Sequence, residues 1–213
     1  MTHTSHLAET AAAYDAVAEL YTELTWDELR GQPLDRAMFA AFAELTRDTG
    51  PVLEVGCGPG RIVAHLHDLG LEVSGVDLSP AMIDIARRTR PGLRFEVGSM
   101  DALETADGGL AGLVSWYSVI HSPPETLPGY FAEFRRVLRP GGHLLLGFFE
   151  AEAREVTAFD HRVVTAYRWP IDGLREHARE AGFTEIGRMS REPHGDERPF
   201  RHGRLLLRLG GPA

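Results

Sequence analysis

One stretch, residues 51–69, constrains this chain more than any other. After Pro51, Val52-Leu53-Glu54-Val55 is a short β-prone run, Gly56-Cys57-Gly58-Pro59-Gly60 holds three glycines, and Ile62 to Leu69 carries the apolar period of a helix. That is strand, tight loop, helix. Glycines at 56, 58 and 60 let the backbone turn sharply and approach a ligand without Cβ hindrance, so the pattern reads as a binding loop; a glycine turn with no ligand is the alternative. A dinucleotide loop wants a further glycine where this chain has Arg61. A triphosphate-binding loop needs Gly-Lys-Ser/Thr. The 22 basic side chains are all arginine, so there is no lysine for such a loop or for Schiff-base chemistry.

The rest of the chain repeats the alternation. Glu72 to Asp77 reads as a second strand ending on an acid, and Ser79-Pro80 opens a helix that runs to about Thr89. Leu93 to Val97 and Leu113 to Tyr117 are the third and fourth strands. Leu127 to Leu138 is a helix, and His143 to Phe149 is the fifth strand, after a Pro140-Gly141-Gly142 turn. Such alternation favours a parallel sheet covered on both faces, with ligands at the carboxyl ends of the strands. The last unit breaks the rhythm. Helix Ile171 to Ala181 is followed by two strands, Thr184 to Met189 and Arg204 to Leu209, with no helix between, so a hairpin makes one of them antiparallel. Residues 150–170 are too long for a bare connection and read as an insertion on the ligand side. Before the core, Leu7 to Leu24 has helical apolar spacing with Tyr14 and Tyr21 on the apolar face, and a second helix covers Leu34 to Thr46.

Charge and composition exclude several functions. A net charge of −9 opposes a polyphosphate partner, no apolar run is long enough to cross a bilayer, and the lone Cys57 has no internal disulfide partner. No signal-peptide pattern opens the chain, so the expected compartment is the cytoplasm.

Val52 to Gly60 resembles motif I of the class I S-adenosylmethionine-dependent methyltransferases, of the small bacterial kind with a type 11 or 25 methyltransferase domain. Asp77, 21 residues after Gly56, matches that family's acid for the ribose hydroxyls, Gly98-Ser99-Met100 its adenine contact, and Pro140-Gly141-Gly142 its turn after the helix. The resemblance covers about residues 48–149. It implies an α/β, Rossmann-like fold with a mostly parallel seven-stranded sheet, an antiparallel C-terminal strand and helices on both faces. One domain over residues 1–213 is expected: a helical lid (1–47), the cofactor core (48–149), the insertion (150–170) and a C-terminal helix with hairpin (171–213). The implied cofactor is S-adenosyl-L-methionine, with S-adenosyl-L-homocysteine as product and no metal. Its expected contacts are Tyr14, Tyr21, Glu54, Gly56, Cys57, Gly58, Gly60, Asp77, Leu78, Met82, Ser99, Met100, Trp116 and Tyr117. Asp77 suits a ribose diol because a carboxylate accepts two charge-assisted hydrogen bonds. Glu54 lies near the methionyl amine in the family, and Cys57 is a small loop filler. Two positions depart from the pattern. Ser99 stands where relatives often have aspartate, with Asp101 two residues on, and the fourth strand opens on Gly112 where an acid is usual.

On the acceptor side the sequence is less specific. Methyl transfer is an in-line displacement, and a base is needed only if the acceptor must lose a proton. His121, just beyond the fourth strand, is the candidate base; lining the pocket or capping the strand is the alternative. Tyr14 and Tyr21 sit on the helix that folds over the cofactor in similar enzymes, where aromatic faces suit a sulfonium. His161, Tyr167 and Arg168 in the insertion are the candidate acceptor contacts. Arg191, His194, Arg198, Arg201 and His202 either clamp an acidic acceptor or form a solvated loop, and the arginine-rich, lysine-free composition favours the loop. The expected function is methyl transfer to oxygen or nitrogen of a small molecule by a monomer or homodimer. Aminopropyl transfer is disfavoured because Trp116 to His121 offers no acids, and the rival is a cofactor-binding regulatory or partner protein without methyl transfer.

Overall fold

The computed structural model describes residues 3–195 and 197–211. Helices α1 (His3–Thr25) and α2 (Pro33–Thr46) precede an alternating series: β1 (Val52–Val55), α3 (Arg61–Asp68), β2 (Val73–Asp77), α4 (Pro80–Thr89), β3 (Arg94–Val97) and β4 (Leu110–Trp116). Next come α5 (Leu127–Val137) and β5 (Leu138–Phe149), then a small hairpin of β6 (Thr157–Phe159) with β7 (Ala166–Arg168), and finally α6 (Ile171–Glu180), β8 (Phe183–Arg191) and β9 (His202–Leu209). The seven-stranded sheet has the order β3-β2-β1-β4-β5-β9-β8, and β9 runs antiparallel to both of its neighbours. Chain order reverses between β1 and β4. Loops after those two strands therefore diverge and leave a crevice at their carboxyl ends. No helix among the described residues is long and apolar enough to cross a membrane.

Both sheet faces are buried, which explains why the central strands read as apolar runs rather than alternating ones. Leu113, Leu144, Leu146, Leu205 and Leu207 pack with Phe131, Phe134 and Leu174 from α5 and α6. Their neighbours Val114, Leu145 and Leu206 point the other way, into Phe39, Phe42, Ile62, Leu66 and Ile83 of α2, α3 and α4. At about 25 cal/mol per Å² of apolar surface, these two layers are the main source of stability.

Two expectations change. The fourth strand starts at Leu110, three residues earlier than expected. Pro140-Gly141-Gly142 is an irregularity inside β5 rather than a turn before it: Leu110 pairs with Leu138, and the register resumes at Gly112 with His143. Gly112 also explains itself, because a Cβ there would lie 2.6 Å from the ring of Phe42. Helix α2 packs so closely on β4 that an acidic side chain has no room.

Candidate active site

The glycine loop forms the floor of a pocket whose walls come from α1, the ends of β2 and β4, and the start of α4. Gly58 N donates to Asp77 Oδ2 at 2.7 Å and Ser79 N donates to Oδ1 at 2.9 Å, so the carboxylate ties the loop to the end of β2. Burial raises the Asp77 pKa, and these amides act against that rise. Two glycines are required for different reasons. Gly60 has φ +81°, and a Cβ on it would stand 2.7 Å from the Phe95 ring. Gly58 has φ +52° and meets nothing within 4 Å, so its missing side chain leaves space beside the pocket it lines.

Helix α1 closes one side of this pocket. Asp15 accepts from Ser79 Oγ at 2.5 Å and from Ala81 N at 3.0 Å, docking α1 on the amino end of α4, where Ser79 also caps the helix by accepting from Met82 N at 3.1 Å. Further along, the Tyr14 hydroxyl lies 2.7 Å from His121 Nε2, while His121 Nδ1 lies 3.1 Å from the carbonyl of Thr165. A carbonyl only accepts. Nδ1 therefore carries the proton, and in the neutral ring Nε2 accepts from Tyr14. Burial holds the His121 pKa down to about 4, so the imidazole is neutral at physiological pH. His6 Nε2 reaches the His121 carbonyl at 2.6 Å. One residue thus joins α1 to the insertion.

A second cavity adjoins the first, and Tyr14, Tyr21 and Tyr117 line both. His161 lies on its wall with its ring 5.0 Å from that of His121, and its buried Nδ1 has no hydrogen-bond partner among the described residues. Beside the cavity runs a buried ionic cluster. Asp35 accepts from Arg204 Nε and Nη2, both at 2.9 Å, and from Arg191 at 3.2 Å, and Arg191 also binds Glu197. Arg204 donates to the Tyr117 hydroxyl at 2.7 Å and lies 4.2 Å over the Trp116 ring. Tyr117 in turn hydrogen bonds His202 Nδ1, so its hydroxyl is committed to the cluster while its ring faces both cavities. Its backbone sits at φ +56°, a strained position for a tyrosine. Burial raises the Tyr117 pKa to about 12 and lowers that of His202 to about 4.

Most expected site residues converge on the first pocket: Tyr14, Tyr21, Gly56, Gly58, Asp77, Leu78, Met82, Met100, Trp116, Tyr117 and His121 all line it. Gly60 instead shapes the loop. Ser99 does not line it, because Gly98 and Met100 face the pocket and Ser99 turns to the other side. Glu54 and Cys57 lie beneath the loop. Glu54 is charge-coupled to Arg61 and accepts from the Val63 backbone, and burial raises its pKa. Cys57 is buried against Gly75 with its thiol pKa well above normal, as suits a filler. In the insertion only His161 reaches a cavity; Tyr167 and Arg168 line neither, and Arg168 stacks 4.5 Å from the Phe200 ring centroid. The solvated-loop reading fails for Arg191 and His202, which are 7% and 3% exposed. Sequence reasoning missed His6, Thr10, Ser79, Ser118 and Tyr130 on the pocket wall and the Asp35 cluster. His6 and Thr10 were within reach, since they share the apolar face that selected Tyr14.

Residues 52–142 match the family described as "Methyltransferase domain". A demethylmenaquinone methyltransferase of Beutenbergia cavernae is 32% identical over 206 residues, covering 84% of this chain and 84% of that protein. The chain belongs to the class I S-adenosylmethionine-dependent methyltransferases. Against five curated relatives, this methyltransferase spans 49% to 84% of their length. Among solved structures it superposes on 1,6-didemethyltoxoflavin-N1-methyltransferase of Burkholderia thailandensis, crystallised with S-adenosylhomocysteine (TM-score 0.65, 21% identity, 94% of this chain and 90% of that one). It also superposes on the [4+2]-cyclase SpnF (TM-score 0.74, 18% identity, 95% and 96%), and at such identities the likeness is one of fold.

Proposed function

We propose that this methyltransferase transfers a methyl group from S-adenosylmethionine to an oxygen or nitrogen of a small molecule seated in the second cavity. The observation that carries this reading is the shared wall: Tyr14, Tyr21 and Tyr117 separate two adjoining cavities, one built on the glycine loop and one on the insertion side. The first cavity suits the cofactor on its own chemistry. Asp77 offers carboxylate oxygens for a diol, Gly58 leaves space for close backbone approach, and the buried Thr10 hydroxyl on the pocket wall has no partner among the described residues. Leu78, Met82 and Met100 give an apolar slot for a base, and the Tyr14, Tyr21 and Trp116 rings suit a sulfonium. When bound, the cofactor supplies an activated methyl group.

The chain's own work is positioning and exclusion of water. Helix α1 acts as the lid, fastened by Asp15 at one point and by Tyr14 at another. Closure on both ligands removes water from the shared wall. His121 holds the Tyr14 hydroxyl in place as a neutral acceptor, which is a positioning role and replaces the direct base expected from the sequence. A small-molecule acceptor in place of nucleic acid accords with the net charge of −9.

Calorimetric titration with S-adenosylhomocysteine, followed by transfer of labelled methyl to a panel of small hydroxy and amino compounds, tests the reading. Binding with turnover on at least one compound is the expected result. Tight binding with no transfer to any acceptor favours a cofactor-binding regulatory protein.

A further inference from the structure

The second cavity carries information about what it holds. Phe149 and His161 contribute rings to its wall, and Phe149 packs 4.9 Å from Tyr117 and 5.4 Å from Phe159. Its charged side chains fall into two classes. Arg61 is paired with Glu28 at 3.1 Å, and Glu197 with Arg191 at 2.6 Å. Arg198 differs. Its guanidinium donates to the carbonyls of Asp160 (3.3 Å) and His161 and lies 5.5 Å from the Phe159 ring centroid. Among the described residues no carboxylate stands within ion-pair distance of it.

Resting on the methyltransferase reading, we propose that the second cavity takes a planar aromatic acceptor bearing an anionic oxygen, held by Arg198 and packed against the Phe149 and His161 rings. The half-buried Arg198 guanidinium already donates to two carbonyls and feels the Arg162 cation and the Asp160 carboxylate in opposite directions, and its other N–H groups can donate to an oxyanion. His161 Nδ1, buried and without a partner, adds a polar point on the same wall. The base inventory agrees. Burial holds His121 at about 4 and His161 at about 3, while Tyr14 and Tyr21 are pushed above their ordinary values, so none of these groups readily deprotonates a weakly acidic hydroxyl. An oxygen that arrives as an anion needs no such help. As it takes the methyl group, an O–C bond forms, the C–S bond breaks with its electron pair going to sulfur, and no proton is released.

The test is equilibrium binding in the presence of saturating S-adenosylhomocysteine, with three probes: 1-hydroxy-2-naphthoate, its neutral carboxamide, and cyclohexanecarboxylate, which is anionic but not flat. The naphthoate should bind roughly tenfold tighter than either of the others, the size of one hydrogen bond to a charged group. Arg198→Gln should abolish its preference over the carboxamide, and Arg198→Lys should restore part of it, with S-adenosylhomocysteine affinity unchanged in both. Equal binding of naphthoate and carboxamide by the unmodified protein, a preference that survives Arg198→Gln, or no binding of any probe at millimolar concentration overturns the proposal. Failure of S-adenosylhomocysteine itself to bind would instead overturn the methyltransferase reading beneath it.

Discussion

The Tyr14 hydroxyl and His121 Nε2, 107 residues apart in sequence, stand 2.7 Å from one another on the wall of the first pocket. If His121 acts by holding Tyr14, the two residues form one unit. Tyr14→Phe and His121→Ala should then each lower kcat, and the double variant should be little worse than either single one, with a coupling energy of about 1 kcal/mol or more in a double-mutant cycle. Additive losses would separate the two roles.

The buried histidines make stability acid-sensitive. His121 and His202 have folded pKa values of about 4, below the ordinary 6.5, so below pH 6.5 the unfolded chain binds protons that the folded one does not. Their contribution is therefore fully present above about pH 6.5 and is lost as the pH falls toward about 4, at up to about 1.4 kcal/mol per pH unit for each histidine. Urea midpoints measured from pH 8 to 4 should be flat at first and then fall. His121→Asn should reduce the slope.

Asp77 ties the glycine loop to the end of β2, and on the proposed reading it also holds the ribose. Asp77→Ala should weaken S-adenosylhomocysteine binding by roughly 1.5–3 kcal/mol in calorimetry and also lower Tm, because the Gly58 and Ser79 amides lose their acceptor. An unaltered affinity would remove the ribose assignment.

The glycines separate binding from stability. Gly58→Ala meets no neighbour within 4 Å and should cost about 1 kcal/mol of stability through its positive φ while depressing cofactor affinity. Gly60→Ala drives a methyl group into the Phe95 ring, so its main effect should be a larger loss in the denaturation midpoint.

Asp35 is the only carboxylate that contacts both Arg191 and Arg204 among the described residues. Removing one member of a buried ion cluster typically costs about 3–5 kcal/mol, so Asp35→Ala should be the most destabilising of these substitutions in urea. A smaller effect than that of Gly58→Ala would show that the cluster is dispensable.

What the sequence made legible was local. The strand-loop-helix at 52–69, Asp77 closing β2 and the final hairpin all follow from period and turn chemistry, and the structure places them as expected. The Asp35 cluster escaped because Asp35 in α2 lies more than 150 residues before Arg191 in β8 and Arg204 in β9, and nothing in the spacing of single charges announces a three-way meeting. Tyr167 and Arg168 were misjudged for a related reason. On β7 Tyr167 packs partly buried against the core and Arg168 lies over the Phe200 ring, contacts with distant residues that local spacing does not announce.

His121 is bonded to two segments: it accepts from His6 and Tyr14 of α1, at its carbonyl and Nε2, and donates from Nδ1 to the Thr165 carbonyl of the insertion. Ordering either segment therefore helps order the other, so a ligand that settles one cavity leaves less chain entropy to be lost when the second arrives. Ligands in the two cavities are thereby coupled through a single imidazole as well as across the wall they share.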